Sequence, residues 1–156
     1  MLSIEVPGRG RLEIKNVVLD VNGTIAVDGN IPEEIKSKLS KLQGKFHVYL
    51  LTADTYGMIK TAISDPGIEI KKITPLDECN QKADFIRKIG SKNTIAIGNG
   101  ANDVLMLKQA AIGIAVIGKE GACSEAILNA DLVVSDISNA LDILLNPMRL
   151  IATLRR

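Results

Sequence analysis

The chain has 156 residues, enough to bury most of one core and too few for a core plus an independent second domain, so residues 1–156 are read as one domain. Nineteen Lys and Arg against eighteen Asp and Glu leave a formal charge of +1, which excludes a global field drawing the protein to nucleic acid or an anionic membrane. Hydrophobic residues at 46% with aromatics at 3% and no Trp imply a core of Ile, Leu, Val and Ala, a composition that suits a layered α/β protein.

The start "MLSIEVPGRG" lacks a charged region followed by an apolar stretch, and no segment approaches the apolar length of a membrane span. The expected location is the cytoplasm, with no membrane partner. "LSIEV" and "RLEIK" alternate apolar and polar residues around "PGRG", which predicts an N-terminal β-hairpin. "NVVLD" then reads as a strand buried on both faces. A helix over 32–43 opens with Pro32 and stops at Gly44. Strand "FHVYLLT" follows, then a helix over 55–64 ended by "DPG", strand "IEIKKI", a helix over 78–89 and strand "NTIAIG". A helix over 101–110, strand "IGIAVI", a helix over 121–129, strand "DLVVS" and a helix over 137–145 complete the alternation. Such a series implies a doubly wound, mostly parallel sheet of the Rossmann-like kind with helices on both faces. The tail "NPMRLIATLRR" places Met148, Leu150, Ile151 and Leu154 near helical spacing and reads as a last helix packed on its own domain, ahead of a dimer contact.

In such a sheet ligands bind beyond the carboxyl ends of the strands. Asp20, Thr52 and the segment "GNGAND" fall at those ends. A carboxylate at a strand end can act as a nucleophile, bind a hard cation or cap the next helix, and capping alone does not account for Asp20, Thr52 and Asp103 together. His47 lies inside a strand and reads as a packing residue rather than a base. Cys79 and Cys123 fit no metal spacing and read as reduced structural thiols. "GNGAND" has the Gly-x-Gly of a dinucleotide loop, but Asp103 stands where that fingerprint needs a small residue.

In this order and at these intervals, "DVNGT", "LLTADT", Lys82 and "GNGANDVLML" resemble the four motifs of the haloacid dehalogenase superfamily. More narrowly, "LLTADT", "ITPLDECNQKADFIRKIG" and "GNGANDVLMLKQAAIGIAV" are similar to the phosphorylation domain of P-type ATPases. The likeness runs over about residues 14–146. It implies a Mg2+-dependent phosphatase or phosphotransferase in which Asp20 attacks phosphorus and carries an aspartyl-phosphate. By the same likeness Asn22 offers its backbone carbonyl to the metal, and Asn22, Gly23, Thr52, Ala53 and Lys82 surround the phosphoryl group. Asp103 is the distal metal ligand, with Asn99 ligating through its amide oxygen or holding a metal-bound water. Lys71 and Lys72 rival Lys82 for the basic role, and the helix and strand between Lys82 and "GNGAND" favour Lys82. Asp54 matches the acid of the P-type "TGD" signature and could equally cap the helix that starts near Thr55.

Two residues depart from the pattern. Phosphatases of the superfamily usually carry an acid two residues after the nucleophile, and Asn22 cannot exchange a proton at neutral pH. General acid and base help is worth roughly 10²- to 10⁴-fold, so its loss slows a poor leaving group and hardly affects an acyl phosphate or phosphoanhydride. Asn99 removes a negative charge beside the metal, which weakens Mg2+ binding. These amides keep a second reading open, a non-catalytic phosphate- or partner-binding protein with a degenerate site. Between Gly23 and the helix at 32 lies only "TIAVDGNI", too short for a cap domain. The active edge is therefore expected to be open, covered by a large phosphorylated substrate or by a second copy of the chain through its hairpin or arginine-rich tail.

Overall fold

A computed structural model of the chain describes residues 1–53 and 56–156. Strands β1 (Leu2–Val6) and β2 (Gly10–Ile14) pair antiparallel around the Pro7–Arg9 turn, Val6 opposite Gly10. The chain then enters β3 (Asn16–Asp20), whose five residues are all buried, as a continuous apolar run between two helical layers must be.

The remaining elements alternate. Helix α1 (Glu33–Gln43) is followed by β4 (His47–Thr52), α2 (Tyr56–Ala62), β5 (Ile68–Lys72) and α3 (Glu78–Ile89). Then come β6 (Thr94–Gly98), α4 (Val104–Gln109), β7 (Ile112–Val116), α5 (Ser124–Asn129), β8 (Leu132–Val134), α6 (Ile137–Leu145) and α7 (Pro147–Leu154). Strands β3 to β8 form one parallel sheet in the order β5-β4-β3-β6-β7-β8. The chain winds outward from β3 to β5 on one side and from β6 to β8 on the other. This is the doubly wound arrangement expected from the alternating pattern, and its order reverses between β3 and β6.

The pleat of β3 divides the core. Val17 and Leu19 join a large cluster with α1, α6, α7 and the hairpin, while Val18 faces Ala96, Ala115, Ile86 and Met106 on the other side. Leu150 and Leu154 of α7 are buried in the first cluster, so the tail packs on its own chain and Met148 points outward. The hairpin is tied to this end by the Arg156 amide donating to the Pro7 carbonyl and by the Arg9–Asp131 ion pair at 2.7 Å.

Three expectations shift. The helix expected over 101–110 begins as a 3-10 turn, Ala101–Asp103, because Asp103 turns back to bond the backbone before α4 starts. The helix expected from 121 begins at Ser124, since residues 117–123 are drawn over the sheet edge. His47 is exposed rather than packed, being the first residue of β4 at the amino end of the sheet, away from the candidate site. Asp54 and Thr55 lie outside the described residues, so the capping expectation there has no structural counterpart. Among the described residues, no helix is long and apolar enough to cross a membrane.

Candidate active site

The turn after β3 is built from backbone. The amides of Thr24, Ile25 and Ala26 all donate to the Val21 carbonyl, and the Gly23 amide donates to the Ala26 carbonyl. Gly23 has φ +76°, a left-handed conformation that disfavours any other residue. Beyond it, Val27 and Asn30 exchange backbone hydrogen bonds across Asp28-Gly29, both at positive φ, in the manner of a tight hairpin turn. These turns occupy the chain between β3 and α1, and the edge above Asp20 is left without a cap domain.

Asp20 ends β3 opposite Leu51 of β4. Lys82, on the buried face of α3 one turn before Ile86, has its Nζ 2.6 Å from Asp20 Oδ1 and 2.7 Å from Asp103 Oδ1. The three side chains come from the ends of β3 and β6 and from α3, yet each is almost completely enclosed. The other oxygen of Asp103 accepts from the amides of Asn99 and Gly100, both at 2.9 Å. A Cβ at Gly98 would stand 2.5 Å from the Asp103 carboxylate, so glycine there lets the carboxylate fold against the strand end. Asn102 donates to Glu78 at 2.7 Å and pins this turn to the start of α3, which fixes Lys82 relative to Asp103.

Thr24 is a residue that the sequence pattern did not single out. It is buried, and its hydroxyl reaches Asn99 Oδ1 at 3.0 Å and Asp20 Oδ2 at 3.5 Å, linking the two halves of the site. Its place as the last letter of "DVNGT" was the available signal. Thr52 is buried at the end of β4, beside the strand that ends in Asp20, and Ala53 follows it half-buried. Asn22 lies exposed on the turn. Lys71 and Lys72 lie on edge strand β5, with Lys71 2.7 Å from Glu69, so Lys82 is the lysine brought to Asp20. Both cysteines are free thiols.

Burial first, and then repulsion from Asp103, push the Asp20 carboxyl up to about 7 against the opposing pull of Lys82. Burial works to lower the Lys82 ammonium, but the two carboxylates outweigh it and hold Lys82 above the usual lysine value. With Asp20 ionised the buried network sets two carboxylates against one ammonium, and a further cation at Asp20 would relieve the imbalance. Its donors are carboxylate and amide oxygens, which fit a hard divalent cation. Among the described residues no three His, Cys, Asp or Glu side chains stand as a preformed metal cluster. A cleft of about 470 Å³ runs from Gly23 and Thr24 past Val27, Gly118, Lys119 and Ile137. A hollow of equal volume between α1 and the α2–β5 segment holds none of the candidate residues.

Residues 81–139 match the model of the haloacid dehalogenase-like hydrolases. An uncharacterised protein of Methanocaldococcus jannaschii is 62% identical over 65 residues, 42% of this chain and 70% of that one. A soluble P-type ATPase-like phosphatase of the same organism is 26% identical over 127 residues, 80% of this chain and 46% of that one. Human phospholipid-transporting ATPase ID is 37% identical over 73 residues, 47% of this chain. The chain spans less than half of the phosphatase and 6% of the ATPase. In fold, the chain superposes on 3-deoxy-D-manno-octulosonate 8-phosphate phosphatase of Moraxella catarrhalis with a TM-score of 0.70 at 19% identity, covering 91% of this chain and 94% of that one. That structure is a complex with magnesium ion, phosphate ion and KDO. The corresponding phosphatase of Haemophilus influenzae, in a cobalt-bound form, gives 0.70 at 18% identity over 86% and 88% of the two chains. Over residues 81–139 the chain is thus similar to the haloacid dehalogenase-like hydrolases, and its fold is that of the phosphatases named here.

Proposed function

We propose that the protein is a Mg2+-dependent phosphatase or phosphotransferase that acts on phosphorylated substrates through an aspartyl-phosphate on Asp20. The observation that carries this reading is the placement of Asp20 at the reversal of strand order, on a buried lysine that a second carboxylate anchors. The phosphatases among its relatives and fold neighbours support it. Mg2+, when bound, masks the charge that otherwise keeps a carboxylate from a phosphoryl group. Asp20, the Asn22 carbonyl and the Asn99 amide oxygen would hold it, with Asp103 as the distal ligand.

One Asp20 oxygen attacks phosphorus as the bond from phosphorus to the leaving oxygen breaks. Lys82 neutralises a phosphoryl oxygen, and Thr52, Ala53 and the Asn22-Gly23 turn orient the group. Water then attacks the same phosphorus, phosphate departs, Asp20 is regenerated and the proton goes to solvent. With an amide at 22 the leaving group must depart as a stable anion, so acyl phosphates and phosphoanhydrides suit the site better than alkyl esters. A phosphorylated macromolecule or a second copy of the chain would cover the open edge.

Phosphate release from acetyl phosphate and from p-nitrophenyl phosphate, with and without Mg2+, tests this. The expected result is Mg2+-dependent turnover, faster on acetyl phosphate and abolished by Asp20→Asn. If wild type and Asp20→Asn are indistinguishable on both compounds, the non-catalytic binding reading replaces it.

A further inference from the structure

The loop joining β7 to α5 runs across the mouth of the site rather than away from it. The Cys123 amide donates to the Asn99 carbonyl at 2.8 Å, and Asn99 Nδ2 donates to the Gly121 carbonyl at 3.2 Å. The Gly118 amide is held by the Ser135 carbonyl at 2.9 Å, and Gly118 and Gly121 both take positive φ. The loop is thus fixed to the residue whose usual acid has become an amide. Near its tip, Glu120 lays its carboxylate over the Cα of Gly23. A methyl group placed there would stand 2.4 Å from Glu120 Oε2, and 2.9 and 3.2 Å from Asn99 Nδ2 and Oδ1. Glycine at 23 therefore opens a cradle whose walls are a carboxylate and an amide. Glu120 is exposed and makes no hydrogen bond or ion pair with another described residue, so its carboxylate is available to a ligand.

We infer that Glu120 is the third carboxylate of the cation site, replacing from the β7–α5 loop the charge that Asn99 lacks. The inference rests on the cation-dependent reading above. With Asp20 ionised, Asp20 and Asp103 against Lys82 leave one net negative charge in the buried network. Glu120 raises this to two, which balances a divalent cation. Hard cations bind oxygen ligands with an affinity that rises with ligand charge and count. Lys82 stands between Asp20 and Asp103, and Glu120 is linked toward Asp20 through Gly23, Asn99 and the Thr24 hydroxyl.

Calorimetric titration of the full chain with Mg2+ alone tests this without any substrate. Glu120→Gln should weaken binding by about tenfold or more, and Asn99→Asp added to it should restore the affinity. Glu125→Gln, an exposed acid on α5, should bind as wild type, and thermal melts check that each variant is folded. Unchanged Mg2+ affinity in Glu120→Gln, while Asp20→Asn loses binding, sinks the role of Glu120 and leaves the cation-dependent reading standing. Failure of Asn99→Asp to rescue also overturns it. A wild-type chain that takes up no Mg2+ overturns both.

Discussion

The site has two halves that obey different physics. Lys82, Asp103 and Asp20 form a closed network from three distant segments, each group almost without solvent and the three joined by short ion pairs. The rim formed by Asn22, Asn99 and Glu120 is amide-rich, closer to solvent and held by loop backbone. Removing one member of the first half strands a buried charge, whereas the rim can change residue with little penalty to the fold. A chain can therefore keep its nucleophile and lysine for structural reasons while its proton-transfer and metal chemistry drift. Under the proposed function the buried network carries the chemistry and the rim sets its rate.

The comparison breaks most visibly at Lys82. Lys82→Met leaves Asp20 and Asp103 buried without their counterion and should cost about 3–5 kcal/mol in urea unfolding. A loss under 1 kcal/mol would mean that the network is not what holds this edge together. Next comes Asn22→Asp on the rim. It should raise turnover of an alkyl ester such as glycerol 3-phosphate on the order of a hundredfold, about 2.7 kcal/mol of barrier, and change acetyl phosphate turnover little. Equal gains on both substrates would move the deficit away from leaving-group protonation.

The smallest effect sharpens the electrostatics of Asp20. Its carboxyl is raised from 3.8 to about 7, so between those values the folded chain holds a proton that the unfolded chain has released. The stability this group contributes is complete below pH 4 and declines as pH rises toward 7, by at most about 1.4 kcal/mol per pH unit. Asp20→Asn removes the titration, and its stability relative to wild type should therefore grow from pH 5 to pH 8 in metal-free buffer. A flat difference over that range would show that Asp20 is ionised throughout.

Much of this was legible along the chain. Period-two and continuous apolar runs marked the eight strands of the described residues, and α1, α3 and α6 appeared where Pro32, the apolar spacing and the Gly90 stop put them. Asp20 and Asp103 were legible because strand ends in a parallel sheet converge on one edge, and Lys82 through the resemblance to the four motifs and its spacing to "GNGAND". Thr24 and Glu120 were not. Thr24 looks like a turn residue until its hydroxyl is seen between Asp20 and Asn99, and Glu120 sits in a loop whose course no periodicity dictates. The helix start expected at 121 failed for the same reason, since backbone bonds to Asn99 and Ser135 outcompete an earlier helical turn.

By itself the sequence determined the alternation of strands and helices, the strand that ends in Asp20, and the two amides that distinguish this site. Those features are local, written in residue type and spacing. The tertiary structure alone decided how Asp103 divides its oxygens between Lys82 and the 99–100 backbone, and that the β7–α5 loop carries a carboxylate onto Gly23. Each of those is a contact between segments far apart in the chain, set by packing of the two helical layers and by the need to pair every buried charge.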